Sequence, residues 1–115
     1  MKKIYYLQTC DTCKRILRQL NLEGVDLQEI KSNPITVAQL EEMQHLATSY
    51  EALFSKRAKL YKEMDLKNQQ LSETDYKELI LEHYTFLKRP VALIGEQIFI
   101  GNSKKVVEQL IEALS

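Results

Sequence analysis

Charge of one sign is what this chain lacks first: 16 Lys and Arg stand against 16 Asp and Glu among its 115 residues, a formal net charge of zero. No global field draws such a chain onto nucleic acid or anionic lipid, so direct nucleic-acid and membrane-surface binding are not expected, and any anion site must be local. Long apolar runs are missing too. None approaches the roughly 20 residues of a spanning helix, and Met1-Lys2-Lys3-Ile4-Tyr5-Tyr6-Leu7 is too short and too tyrosine-rich for a signal core. The expectation is a soluble, cytoplasmic monomer. Three glycines form no Gly-rich run for cradling phosphates, and the two prolines, Pro34 and Pro90, punctuate joints between blocks. Cysteine is equally scarce, with only Cys10 and Cys13. In a reducing compartment so close a pair points to chemistry rather than to a structural staple. What is abundant is apolar residues, 44% of the chain, enough for one ordinary core.

Along the chain, Lys3 to Leu7 has the β-branched and aromatic character of a strand, and Asp11 to Leu22 carries Ile16, Leu17 and Leu20 at helical spacing, with Gly24 as its end. Val25 to Ile30 suits a second strand, parallel to the first in a βαβ unit. Thr36 with Gln39, and Ser72 with Asp75, form capping boxes that start two helices. Val37, Leu40, Met43 and Ala47 follow the first, and Tyr76, Leu79, Ile80 and His83 mark the inner face of the second. Between them, residues 49–63 read as short helical turns, because period-two alternation is absent. The last third changes character. Val91 to Ile94 is an apolar run fit for a central strand, Gly95-Glu96 has the form of a two-residue hairpin turn, and Gln97 to Ile100 returns antiparallel. Ser103 then caps a helix with Val106, Val107, Leu110, Ile111 and Leu114 on one stripe. The order βαβ, helical block, ββα describes an α/β fold with a helical insertion at about residues 35–86 of a single domain.

Gln8-Thr9-Cys10-Asp11-Thr12-Cys13-Lys14-Arg15 puts Cys10 at the strand-to-helix junction and Cys13 one turn further on. The unpaired N–H groups and positive dipole end of a helix favour a thiolate there, and Lys14 and Arg15 add cationic character. On this reading Cys10 is the activated thiol and Cys13 the resolving one. A zinc site lacks ligands, since His45 and His83 stand at no finger or knuckle spacing from the cysteines. Two small apolar residues at a helix start is the other reading of the same spacing.

Three segments carry a family resemblance: Cys10-x-x-Cys13-Lys14-Arg15; Ala52-Leu53-Phe54 followed by Lys56-Arg57 and Tyr61; and Leu87-Lys88-Arg89-Pro90-Val91. Together they resemble the arsenate reductases of the glutaredoxin-dependent type, with their Spx and YffB-like relatives, over essentially the whole chain. The resemblance implies a thioredoxin-like mixed four-stranded sheet with an inserted helical subdomain. It also implies that Cys10 is the nucleophile, that Arg89 holds an oxyanion or a thiolate with its planar donor fork, and that Pro90 follows a cis peptide bond. Where the reductases carry a second oxyanion arginine this chain has Ser55, with Lys56 and Arg57 adjacent. A third falls near Gly101 and Asn102 without replacement. Cys13 is absent from the glutaredoxin-dependent enzymes and present in Spx-type members.

Two functions follow as expectations. One is a thiol-disulfide oxidoreductase reducing an oxyanion such as arsenate, or a mixed disulfide, through Cys10, Cys13 and Arg89. Lys14, Arg15, Ser55, Lys56, Arg57 and Pro90 are its candidate anion- or substrate-binding residues. It would hold no bound cofactor or metal and would draw electrons from glutathione, glutaredoxin or thioredoxin as external reductant, the last two as redox protein partners. The other is an Spx-like redox-sensing regulator that binds the RNA polymerase α subunit, with the disulfide as a switch.

Overall fold

The computed structural model describes all 115 residues, Met1–Ser115. Its elements are β1 (Lys2–Tyr6), α1 (Asp11–Arg18), β2 (Asp26–Glu29), α2 (Val37–Ala47), α3 (Lys59–Glu63), α4 (Glu73–Glu82), β3 (Val91–Ile94), β4 (Gln97–Ile100) and α5 (Lys104–Leu114), with 3-10 turns at Glu51–Leu53, Leu66–Asn68 and Tyr84–Phe86. No helix is long and apolar enough to cross a membrane. The chain divides into two compact units, Met1–Pro34 with Arg89–Ser115, and Ile35–Lys88.

The first unit holds a mixed four-stranded sheet in the order β2-β1-β3-β4. β1 pairs with β2 in parallel and with β3 antiparallel, and β4 closes the hairpin. This is the thioredoxin-like arrangement. Alternation along the strands sends Ile4 and Ala92 to one face, where they pack with Ile16 and Leu20 and with Leu110 and Leu114 of α5. Tyr5, Leu7, Val91 and Leu93 point to the opposite face and are buried as well, which is why β3 reads as an unbroken apolar run. The hairpin turns on Gly95, whose φ of 62° lies where a Cβ would be strained. Ser103 accepts the Val106 N–H through its hydroxyl and starts α5.

Two sequence expectations need correction here. α1 ends at Arg18 instead of running to Leu22. Its last turn tightens, with Gln19 N–H donating to Ile16 O and Leu20 N–H to Leu17 O. The chain then leaves the helix while Leu20 still reaches the core. Gly24 is therefore not a helix cap. With φ 73° it takes the third position of a turn closed by Val25 N–H to Leu22 O, the position that demands a left-handed residue, and leads the chain into β2. His83 likewise falls just past the end of α4 and meets Phe86 edge-on at 5.7 Å, so it does not lie on the helix's inner face.

In the second unit both capping boxes form in full. Thr36 and Gln39 exchange hydrogen bonds at the start of α2, and Ser72 and Asp75 do so at the start of α4. The carboxylate of Glu73 accepts the N–H groups of Tyr50 and Glu51, tying the first turn of α4 to the 3-10 turn before Phe54. Phe54 is the packing centre: it stacks on Phe86 at 4.9 Å and contacts Tyr76 at 4.8 Å and Tyr61 at 6.1 Å. Its strand-like backbone is bridged to Leu87, with Ser55 N–H donating to Phe86 O and Lys88 N–H to Leu53 O.

Candidate active site

β1 delivers the chain to a tight turn, Leu7 to Cys10, closed by Cys10 N–H donating to Leu7 O at 3.1 Å. Cys10 is the N-cap residue of α1, with extended backbone (φ −93°, ψ 110°), and its carbonyl accepts the Lys14 N–H. Counting from this cap, Cys13 is the third helical residue. That is the position whose N–H an N-cap side chain faces, so the C-x-x-C spacing is at once a cap spacing and a one-turn stack of two sulfurs. The Cys10 sulfur makes no cap hydrogen bond of full geometry, yet the Cys13 N–H acts on it as a weak donor.

The two thiols are free and unlike. Cys10 is partly exposed, whereas Cys13 is fully buried. Burial disfavours the Cys10 thiolate, but the Cys13 N–H, the Cys13 thiol and the hydrogen bond and charge of Arg89 outweigh it and hold the group below the usual thiol range. For Cys13 the balance is reversed. Burial pushes its thiol up to about 11, the Leu7 N–H offsets part of this, and the neighbouring Cys10 adds to the rise by charge and hydrogen bond. The arrangement favours the thiolate at Cys10, with the protonated Cys13 thiol and the Arg89 cation beside it.

Arg89 reaches this place because of strand register. β3 runs antiparallel to β1 with Val91 opposite Tyr5, so the residues just before β3 lie where β1 gives way to the cysteine turn. The Arg89–Pro90 peptide bond is cis, Pro90 is buried, and its carbonyl accepts the Gly101 N–H at 2.9 Å. The cation acting on both sulfurs is Arg89. Lys14 and Arg15 are both exposed on α1.

The remaining candidates lie in the second unit. The Lys56 ammonium is engaged by Glu51 at 3.2 Å, and the same carboxylate oxygen accepts the Tyr76 hydroxyl at 3.3 Å. Arg57 is exposed, and Ser55 is partly buried with its N–H committed to Phe86 O. Sequence reasoning singled out the two sulfurs, Arg89 and the unpaired N–H groups of the helix start, to which the Cys13 N–H belongs, but overlooked the Leu7 N–H. The cap-to-third-residue spacing points to the Cys13 N–H in particular; nothing local in the sequence marks that of Leu7.

Residues 5–110 match the sequence profile of the ArsC family. The global transcriptional regulator Spx 2 of Bacillus anthracis is 25% identical over 114 residues, covering 96% of this chain and 87% of the relative. Among solved structures, an arsenate reductase from Vibrio cholerae superposes with a TM-score of 0.78 at 22% identity, covering 98% of this chain and 97% of the other. A possible arsenate reductase from Streptococcus mutans gives 0.73 at 23% identity, with 96% and 97% covered. At such identities the structural likeness speaks for the fold.

Proposed function

The chain belongs to the ArsC family, and from that premise we propose that it is a thiol-disulfide oxidoreductase with Cys10 as nucleophile and Cys13 as resolving thiol. The observation that carries the reading is the difference within the pair: a partly exposed sulfur beside Arg89 and the Cys13 N–H, which favour its thiolate, and a buried one whose burial favours the thiol.

The Cys10 thiolate attacks one sulfur of a mixed disulfide between a substrate and a low-molecular-weight thiol. A Cys10–substrate disulfide forms and the other thiolate leaves. Attack removes the negative charge from Cys10, and with it one of the groups that keep Cys13 protonated. Cys13 then gives its proton to solvent or to the leaving thiolate, attacks Cys10, and releases the reduced substrate. The electron count closes when a dithiol protein of the glutaredoxin or thioredoxin class, or two glutathione molecules, returns the Cys10–Cys13 disulfide to the dithiol. A reducing cytoplasm suits this cycle. Arg89 stabilises the attacking thiolate and, when the substrate is an oxyanion such as arsenate, is placed to pair with its oxygens. With one arginine at the sulfur, mixed-disulfide reduction is the better-supported branch, since oxyanion capture rests on several charge-assisted hydrogen bonds at once.

A turnover panel with a glutathionylated peptide, a model disulfide and arsenate tests this. Cys10→Ser is expected to abolish turnover, and Cys13→Ser to accumulate the mixed disulfide as a mass adduct. Turnover by Cys10→Ser equal to wild type refutes the mechanism. The similarity to Spx 2 favours a second reading, a redox-sensing regulator that binds the RNA polymerase α subunit. Capture of that subunit only in one redox state, together with no turnover of any substrate in the panel, would put it first.

A further inference from the structure

Where β1 and β2 stop pairing, a carboxylate replaces a carbonyl. Ile30 N–H still donates to Tyr6 O at 2.9 Å, in parallel register. The next rung of a parallel ladder would send Gln8 N–H to the carbonyl of Ile30. Instead Gln8 N–H donates to Oε2 of Glu29 at 2.9 Å. The other oxygen, Oε1, is staked by three donors: Lys31 N–H at 3.0 Å, Ser32 N–H at 2.7 Å and the Ser32 hydroxyl at 2.8 Å. A side chain so anchored has lost most of its rotamer freedom, so its second oxygen, Oε2, sits at a set point in space. What it grips is the residue following Leu7, in the turn that ends at Cys10.

That turn supplies much of the surroundings of both sulfurs. Leu7 O accepts the Cys10 N–H, and Leu7 N–H acts on the Cys13 sulfur. We propose that Glu29 is a positioning residue for the nucleophile: by ending the ladder at Gln8 it sets the Leu7–Cys10 turn, and through it the placement of the Cys10 sulfur against the Cys13 N–H and the Arg89 guanidinium. The inference rests on the reading of Cys10 as the activated thiol. Glu29 touches neither sulfur and acts only through the backbone it holds.

Sign separates positioning from plain electrostatics. As a nearby negative charge, Glu29 disfavours the thiolate, so losing that charge alone moves the Cys10 titration down in pH. Losing the grip on Gln8 loosens the sulfur from its donors and moves the titration up. In Glu29→Gln only one oxygen remains, and the amide NH₂ must face either Gln8 N–H or the Lys31–Ser32 turn. Glu29→Asp keeps the charge but lacks the reach. Iodoacetamide alkylation of Cys10 in the full chain, followed by mass spectrometry against pH, is the measurement, with circular dichroism and a thermal midpoint confirming that each variant is folded. Both variants are expected to raise the midpoint by at least about half a pH unit, roughly a threefold loss of thiolate below it. Ser32→Ala, which leaves the Gln8 contact intact, should stay at the wild-type midpoint. Glu29→Asp superimposing on wild type, or Glu29→Gln shifting downward, overturns the positioning role while leaving the reading of Cys10 standing. A wild-type midpoint in the range of an ordinary thiol overturns both.

Discussion

Replacing Arg89 by alanine takes from Cys10 a hydrogen bond and a positive charge together. Hydrogen bonds to a charged partner are worth about 1.5–3 kcal/mol, and about 1.4 kcal/mol corresponds to one pH unit between protonation states. Cys10 is partly open to solvent, which screens the charge, so the lower end of the range applies. The expected effect is a rise of roughly one pH unit in the thiolate midpoint, because the group removed favours the charged form. The Cys13 N–H and S–H stay in place in the variant. Alkylation rates at Cys10 between roughly pH 4 and 10 read the midpoint directly, since only the thiolate reacts. Arg89→Lys, which keeps a charge but not the planar fork, should fall between the two. Linkage supplies a second readout. A thiol whose folded pKa lies below its unfolded one contributes stability that is present above the unfolded value and lost as pH falls through the folded one. Reduced wild type should therefore lose, on acidification through the Cys10 midpoint, a stabilisation that Arg89→Ala largely lacks. Superimposable alkylation profiles for wild type and Arg89→Ala would refute the role given to the guanidinium.

Cys13 has the opposite sign. Held protonated up to about 11, it contributes stability that is complete below the pKa of an unfolded cysteine, roughly 8.5, and lost as pH rises towards its folded value. The difference in urea midpoint between the reduced wild type and Cys13→Ala should shrink across that alkaline window, and a constant difference would count against it. In the second unit, Phe86 is fully buried and stacks on Phe54. Phe86→Ala should cost about 3–5 kcal/mol in chemical denaturation, the range for deleting a buried aromatic. A loss under about 1 kcal/mol would mean that the site collapses around the cavity, as well-packed sites do not.

The local devices were legible because they are local. Thr36 with Gln39, Ser72 with Asp75, and the Ser103 hydroxyl all satisfy helix N–H groups within one turn, so residue type and spacing are enough to read them. The Gly95 turn between two apolar runs is of the same kind. Helix length was less legible: Ile16, Leu17 and Leu20 continue a helical period that the chain itself abandons at Arg18, because Leu20 reaches the same core from a tightened turn. Sequence nearness suggested Lys14 and Arg15 as sources of cationic character at Cys10. Both are exposed, and the charge that acts on the Cys10 sulfur comes from Arg89, remote in sequence.

By itself, then, the sequence determined the kinds of element, their order, and which two sulfurs and which arginine to watch, since periodicity, caps and motif spacing are properties of neighbouring residues. Tertiary structure alone decided what those groups do to one another. The antiparallel register of β1 and β3 brings Arg89 to the end of β1. Burial raises the Cys13 thiol, while the Cys13 N–H and Arg89 lower that of Cys10. The end of the β1–β2 ladder puts the Glu29 carboxylate on the backbone of the cysteine turn. Each depends on hydrogen bonds between strands far apart in the chain, and on the exclusion of water from one sulfur but not the other, which no window of sequence contains.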